Sequence, residues 1–145
     1  MTATVTPLEP QDRPRWAELW AAYLAYYGTV VPSEQYDSTW TRLHDGRIHG
    51  LAARDAEGRM VGLAHYLFHE HSWSMRSACY LQDLFVDPEV RGAGAGRALI
   101  EAVAQAARAA DSFRFYWSTD TGNVIARQLY DRVARQKAVR YNFPL

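Results

Sequence analysis

Arg91-Gly92-Ala93-Gly94-Ala95-Gly96 comes five residues after the apolar run Leu84-Phe85-Val86 and leads at once into Arg97-Ala98-Leu99-Ile100-Glu101-Ala102-Val103. The order is strand, glycine loop, helix N-terminus. A helix start presents backbone N–H groups without intrahelical partners and carries a partial positive charge. Glycine lets an anion approach that backbone with no side chain in the way. The stretch therefore points to a bound phosphate group and raises the question of which one.

A nucleotide P-loop needs Lys followed by Ser or Thr after the last glycine, and Arg97-Ala98 stands there instead. A dinucleotide fingerprint needs G-x-G-x-x-G near the start of a βαβ unit. Asp111 lies at a suitable distance for the ribose carboxylate, but Gly92, Gly94 and Gly96 are spaced two apart and most of the chain precedes them. The remaining pattern, Arg-x-x-Gly-x-Gly at Arg91, Gly94 and Gly96 after Val86-Asp87-Pro88, resembles the acyl-CoA pyrophosphate loop of the GNAT superfamily of N-acetyltransferases. A plain glycine turn before an Ala-rich core helix would need no ligand. The helix favours the phosphate reading: Leu99, Val103, Ala106 and Ala110 recur at helical spacing, with Ile100 and Ala107 widening the stripe, so its first turn is held against a sheet.

A second stretch, Asn123-Val124-Ile125-Ala126-Arg127-Gln128-Leu129-Tyr130, follows the strand-like Phe113-Arg114-Phe115-Tyr116-Trp117-Ser118, with Thr121 and Gly122 reading as the helix start. Seven residues are almost two helical turns, so Asn123 and Tyr130 share a side with small Ala126 between them. A narrow chain fits along that side. Taken alone, Asn123 also suits a helix cap and Tyr130 a packing role. The resemblance implies more: Asn123 and Ala126 border the pantetheine arm, and Tyr130 is the general acid beside the thioester sulfur. It also implies that Leu84, Phe85 and Val86 line the acetyl site, while Arg91, Gly92, Ala93, Gly94, Ala95, Gly96 and Arg97 hold the pyrophosphate of acetyl-CoA.

Composition suits one enzyme domain. At 145 residues and 48% hydrophobic content the chain is read as a single domain over 1–145 with a real core. Sixteen basic and sixteen acidic residues cancel, so no electrostatic footprint calls for nucleic acid. No apolar run reaches membrane-spanning length, and Met1-Thr2-Ala3-Thr4-Val5-Thr6-Pro7 lacks the basic start of a secretory peptide. Cys79, the single cysteine, reads as a buried strand thiol. The expectation is a cytoplasmic protein that binds neither nucleic acid nor membrane.

Before the loop, a first strand spans Ala3 to Leu8. A helix then starts at Asp12 and Pro14 and carries Trp16, Leu19, Trp20, Tyr23, Leu24 and Tyr27 on one stripe up to Gly28. A shorter helix from Ser33 carries Tyr36, Trp40 and Leu43 and ends at Gly46. Ile48 to Arg54 and Met60 to Phe68 read as a hairpin around Ala56-Glu57-Gly58-Arg59, and Ala78 to Val86 as the strand feeding the loop. With a last strand over Ala138 to Phe143, the order is β-α-α-β-β-β-α-β-α-β. This resembles the GNAT fold over essentially the whole chain: α/β, a mixed, mostly antiparallel sheet flanked by helices. Tyr80-Leu81-Gln82-Asp83-Leu84-Phe85-Val86 and the aromatic first helix look like the diamine and histone-type branch, and a homodimer is expected. Val133-Ala134-Arg135 departs from the family, which often has a glycine there.

The chemistry sets its own requirements. An alkylammonium of pKa about 10 must lose a proton before it attacks a thioester. The oxyanion needs a fixed N–H donor, and the departing thiolate benefits from a proton. No covalent enzyme intermediate is required. The resembled polyamine enzymes commonly carry an acidic residue where Gln82 stands, and glutamine is no base. Asp83 is the adjacent carboxylate, but strand alternation puts it on the other face, and it fits a structural role as well as a catalytic one. His65, His69 and His71 share strand parity, but no Cys, Asp or Glu cluster completes a metal site, so no metal is expected. Tyr23, Tyr26, Tyr27, Trp40 and Trp73 are candidates for walling the acceptor amine; aromatics at helical spacing also build cores. The expected activity is acetyl transfer from acetyl-CoA to a primary amine of a small molecule or lysine side chain. A non-catalytic acyl-CoA-binding sensor or scaffold is the alternative. A dimeric interaction protein that uses the aromatic helices is the third reading.

Overall fold

The β-rich middle of the chain builds one five-stranded sheet in the order β1-β2-β3-β4-β5, in a computed structural model that describes residues 3–90 and 92–145. The strands are β1 (Thr4–Pro7), β2 (His49–Arg54), β3 (Met60–His71), β4 (Ser74–Val86) and β5 (Arg114–Tyr116), and the helices are α1 (Arg13–Tyr26), α2 (Ser33–His44), α3 (Ala95–Ala109) and α4 (Val124–Val133). The first three pairings are antiparallel and β4 with β5 is parallel. This is the mixed, mostly antiparallel α/β architecture that the sequence predicts.

Both sheet faces are covered, which explains why β3 is buried at every residue from Met60 to Tyr66 instead of alternating. Leu63 and Ala52 face Trp16, Leu19 and Trp20 of α1 and Leu43 of α2. Ala64 and Ala53 face Leu99, Ile100, Val103 and Ala107 of α3, with Leu129 and Val133 of α4 alongside. Gly62 lets α3 come close, since a Cβ there would stand 3.0 Å from the Phe85 carbonyl oxygen and 3.3 Å from Leu99 Cδ1.

One irregularity sets up everything around the glycine loop. His65 pairs with Asp83 but Tyr66 pairs with Leu81, so Gln82 is an extra residue in β4. Leu81 and Leu84 consequently both face the α3 side, and Phe85 turns to the α1 side. A bulge bends its strand and increases the local twist. Pairing of β4 with β5 is confined to Ala78↔Arg114, Cys79↔Phe115 and Tyr80↔Tyr116, and stops just short of the bulge.

Two expectations from the sequence are corrected. Helix α4 begins at Val124, because tight turns closed by Asn123 N–H to the Asp120 carbonyl and Val124 N–H to the Gly122 carbonyl occupy the preceding residues. Ala138 to Phe143 forms no strand. A strand needs an edge to pair with, and a cleft of about 890 Å³ separates this arm from Phe115 and Tyr116, leaving Val139, Tyr141 and Phe143 74%, 91% and 83% exposed.

The start of α1 is tied to the sheet by Arg54. Its guanidinium donates to both Asp12 carboxylate oxygens at 2.9 and 2.7 Å and to Thr6 Oγ1 at 2.9 Å, while Asp12 also accepts from the Glu9 N–H at 2.7 Å. The Arg54 hydrogen bond holds the Asp12 carboxyl below its usual 3.8, against the opposing effect of burial. Asp12→Ala should cost about 3–5 kcal/mol at pH 7, because it leaves a largely buried guanidinium unpaired. A carboxyl with a lowered folded value stabilises above its unfolded value and loses that contribution as pH falls through the folded one. Urea titrations should therefore show the gap between wild type and variant narrowing as pH drops below about 4.

Candidate active site

Where β4 and β5 part, each strand leaves backbone groups without a ladder partner on the inner side of the fork, and such groups recruit a ligand or water. Leu81, Gln82 and Leu84 form one prong, and Trp117, Ser118 and Thr119 the other. Tyr23 of α1, Tyr27 just past its end and Tyr130 of α4 complete a crevice of about 20 Å³. The Tyr130 ring packs edge-on against Trp117 at 5.4 Å, and burial pushes its phenol up to about 12, which keeps it protonated at neutral pH. Burial also raises Tyr23, with the Asp83 carboxylate beside it adding to the effect. Tyr27 is raised by burial as well.

The glycine loop has the shape the sequence implies. Gly92 and Gly94 hold φ +93° and +75°, and a Cβ at either would meet nothing within 4 Å, so open space lies over the loop. Gly94 caps α3 without a side chain, its carbonyl accepting from Ala98 N–H at 3.0 Å, which leaves the first-turn N–H groups to a ligand. Ala93 is half-buried, Ala95 is buried in the α3 core and Gly96 packs under Leu129. Arg97 is paired with Glu101 at 3.1 Å on the exposed side of the helix. Arg91 lies outside the described residues. The strand end that feeds the loop is anchored by Arg15, which reaches the Asp87 carboxylate at 2.8 Å and the Met60 carbonyl at 3.0 Å. Asp87 also accepts from the Glu89 N–H at 3.0 Å, and this bond above all lowers its pKa.

The other candidates divide. Leu84 lines the crevice, Phe85 packs against Tyr23 at 6.2 Å on the α1 side, and Val86 packs toward Gly62 and Gly96. Asn123 accepts from the Tyr26 hydroxyl at 3.1 Å and donates to Thr119 Oγ1 at 3.0 Å, which joins α1 to α4 beside the fork; Ala126 is half-buried. Trp40 does not line the crevice: it packs on Trp16 at 4.9 Å and His44 at 4.5 Å, under the Arg13 guanidinium. Trp73 is 80% exposed at the far hairpin. A register shift separates His69 from His71. His69 bonds Tyr116 Oη at 2.7 Å, and His71 accepts from the Trp73 N–H at 3.1 Å. Among the described residues no three His, Cys, Asp or Glu side chains converge. Cys79 is fully buried, and burial pushes its thiol up to about 11. Sequence reading missed Trp117, Ser118 and Thr119, and it missed the pairing of Asp83 with buried His65 at 2.8 Å.

A forked mixed sheet, with a helix N-terminus free of side-chain capping near the fork, has the shape to take a narrow ligand that carries an anionic group. Comparisons with known proteins agree. The model of the acetyltransferase (GNAT) family matches residues 16–134. The chain is 38% identical over 133 residues to D-amino-acid N-acetyltransferase HPA3 of Saccharomyces cerevisiae, covering 90% of this chain and 83% of that protein. Among solved structures, a ribosomal-protein-alanine N-acetyltransferase from Brucella melitensis biovar Abortus 2308 superposes with TM-score 0.83 at 20% identity over 99% of both chains. An aminoglycoside acetyltransferase from an uncultured soil metagenomic sample, in complex with trehalose, gives TM-score 0.79 at 21% identity over 99% of this chain and 96% of that one. The chain belongs to the GNAT acetyltransferase family and is an acetyl-CoA-dependent N-acetyltransferase that acts on an amine. The residues present fit that co-substrate: open space over Gly92 and Gly94 for its pyrophosphate, and a forked sheet for its narrow arm.

Proposed function

We propose that the protein acetylates a small primary amine by direct attack on the thioester, with Tyr130 as general acid. The single observation that carries this reading is the placement of the half-buried Tyr130 side chain in the same crevice as Leu84, beyond the point where β4 leaves β5. Backbone N–H groups of Leu84 to Val86 supply the oxyanion donor, the first turn of α3 with Gly92 to Arg97 holds the pyrophosphate, and Asn123 and Ala126 border the arm. The similarity to an enzyme named for D-amino acids supports a free small molecule over a lysine on a protein surface.

The proton balance assigns the remaining groups. As an ammonium becomes an amide, the N–C bond forms, the C–S bond breaks and nitrogen gives up two protons. One leaves to solvent by way of Asp83, and the other replaces the proton that Tyr130 gives to sulfur. Tyr23 and Tyr27 form the acceptor wall.

We further propose a homodimer in which the arm after Val133 packs on a second copy. Val139, Tyr141 and Phe143 alternate along it at strand spacing, all exposed, and β5 is the sheet's open edge. A lone buried thiol suits a reducing cytoplasm, and no described helix is long and apolar enough to cross a membrane.

Thiol release from acetyl-CoA across a panel of diamines, arylalkylamines, D- and L-amino acids and a lysine peptide tests the acceptor. A free small amine should be fastest, and selective turnover of the peptide would overturn that choice. Tyr130→Phe should lower single-turnover rates about ten- to a hundredfold with acetyl-CoA affinity unchanged. Because the acid works only while protonated, wild-type turnover should hold level on the alkaline side until pH approaches about 12. Light scattering should give twice the 16.5 kDa chain mass, falling to one chain when residues 135–145 are removed; a monomeric full-length chain would refute the dimer.

A further inference from the structure

Beneath the acceptor wall lies a polar chain, Trp16, His65 and Asp83, of which the acetyl-transfer reading uses only Asp83. Trp16 is fully buried, and its indole Nε1–H donates to His65 Nε2 at 2.9 Å; on the opposite side of the ring His65 Nδ1 stands 2.8 Å from Asp83 Oδ2. An indole N–H only donates, so His65 Nε2 is the bare ring nitrogen and the imidazole carries its one proton on Nδ1, aimed at the carboxylate. Trp16 and Trp20 pack against the ring from one side, each centroid 6.0 Å away, and His65 is 1% exposed. Both imidazole nitrogens are thereby committed, and neither reaches the crevice. Asp83 does have a neighbour in the crevice: the Tyr23 hydroxyl donates to the Gln82 carbonyl oxygen at 3.5 Å, the outer limit of a hydrogen bond, and is near enough to the Asp83 carboxylate for that charge to add to the rise in its pKa.

We propose that His65, locked in one tautomer by Trp16, is a positioning residue that fixes the Asp83 carboxylate against the Tyr23 hydroxyl, so that the acceptor amine's proton leaves the crevice through Tyr23 to Asp83. This rests on the reading of Asp83 as proton acceptor. The transfer balances within the pair: Tyr23 oxygen takes the proton from nitrogen while its own proton passes to Asp83, and Asp83 later releases it to solvent. Burial and the adjacent carboxylate both oppose a free tyrosinate, so the two transfers are coupled and need a carboxylate held in one place. A carboxylate free to rotate away from Tyr23 would not serve. The Nδ1–H bond to Oδ2 removes that freedom.

The test is a double-mutant cycle read in kcat/KM for the best amine, with acetyl-CoA affinity measured by calorimetry. His65→Leu should lose about tenfold or more in kcat/KM with acetyl-CoA affinity unchanged. His65→Asn, whose amide N–H can replace Nδ1–H but offers Trp16 no acceptor at the Nε2 position, should recover most of that loss. In an Asp83→Asn background, His65→Leu should cost nothing further. Losses that multiply, an Asn variant as slow as the Leu variant, or a wild-type rate for His65→Leu would each overturn the positioning role. Wild-type turnover of Asp83→Asn would instead overturn the underlying reading of Asp83. A measurement on the unaltered protein does not depend on how the variants fold. Imidazole 15N shifts should show His65 protonated at Nδ1 and bare at Nε2, and a proton on Nε2 would contradict the proposal.

Discussion

The extra residue at Gln82 is the constraint on which the rest of the site depends. Side chains alternate along a regular strand, so Leu81 and Leu84, three apart, cannot face the same helix unless one residue is inserted between them. With the insertion, both leucines join the α3 side, Asp83 turns to His65 on the α1 side, and β4 leaves β5. A one-residue slip that removed the bulge would reverse every side chain from Asp83 to Val86. Leu84 would leave the crevice and Asp83 would lose His65. The fork, the acceptor wall and the loop entrance follow from one unpaired position.

The site is held rigid from both sides. On one face the aromatic shelf of Trp16, Trp20 and Tyr36 packs over Leu63 and His65, with Trp16 and Trp20 stacked at 5.3 Å and Trp20 meeting Tyr36 edge-on at 5.1 Å. Among the described residues the buried Trp20 indole N–H has no hydrogen-bond partner. On the other face α3 is pinned at Gly62, which fixes the direction of its N-terminus relative to the fork. Arg15 joins the two, reaching from α1 to Asp87 at the head of the loop. Donors and dipoles fixed before substrate arrives need no reorganisation during the reaction, which is how such sites gain their catalytic power.

Much of this was legible in the sequence because the signals are local. The glycine loop and the α3 stripe from Leu99 to Ala107 are set by near neighbours in the chain, where period and turn chemistry speak directly. Trp16, Leu19 and Trp20 read as an apolar stripe and are one. What depends on pairing register was not legible. The bulge at Gln82 leaves no mark in composition, so the contact of Asp83 with His65, eighteen residues apart, could not be foreseen. Ser118 and Thr119 gain their place only because β5 ends at Tyr116. Trp40 looked like an acceptor wall because it is aromatic, yet it sits in the shelf under α1, where aromatic residues at helical spacing more often belong. Ala138 to Phe143 shows strand alternation, but a cleft holds it away from the β5 edge.

The most direct test of the account is a crystal structure of the protein with a non-hydrolysable acetyl-CoA analogue. The account predicts the acyl carbonyl bonded to a backbone N–H between Leu84 and Val86, the atom replacing sulfur within hydrogen-bond reach of Tyr130 Oη, and the pyrophosphate against the N–H groups of the first turn of α3. An acyl group lying outside the fork between β4 and Trp117-Ser118-Thr119, or a pyrophosphate away from Gly92 to Gly96, would contradict it.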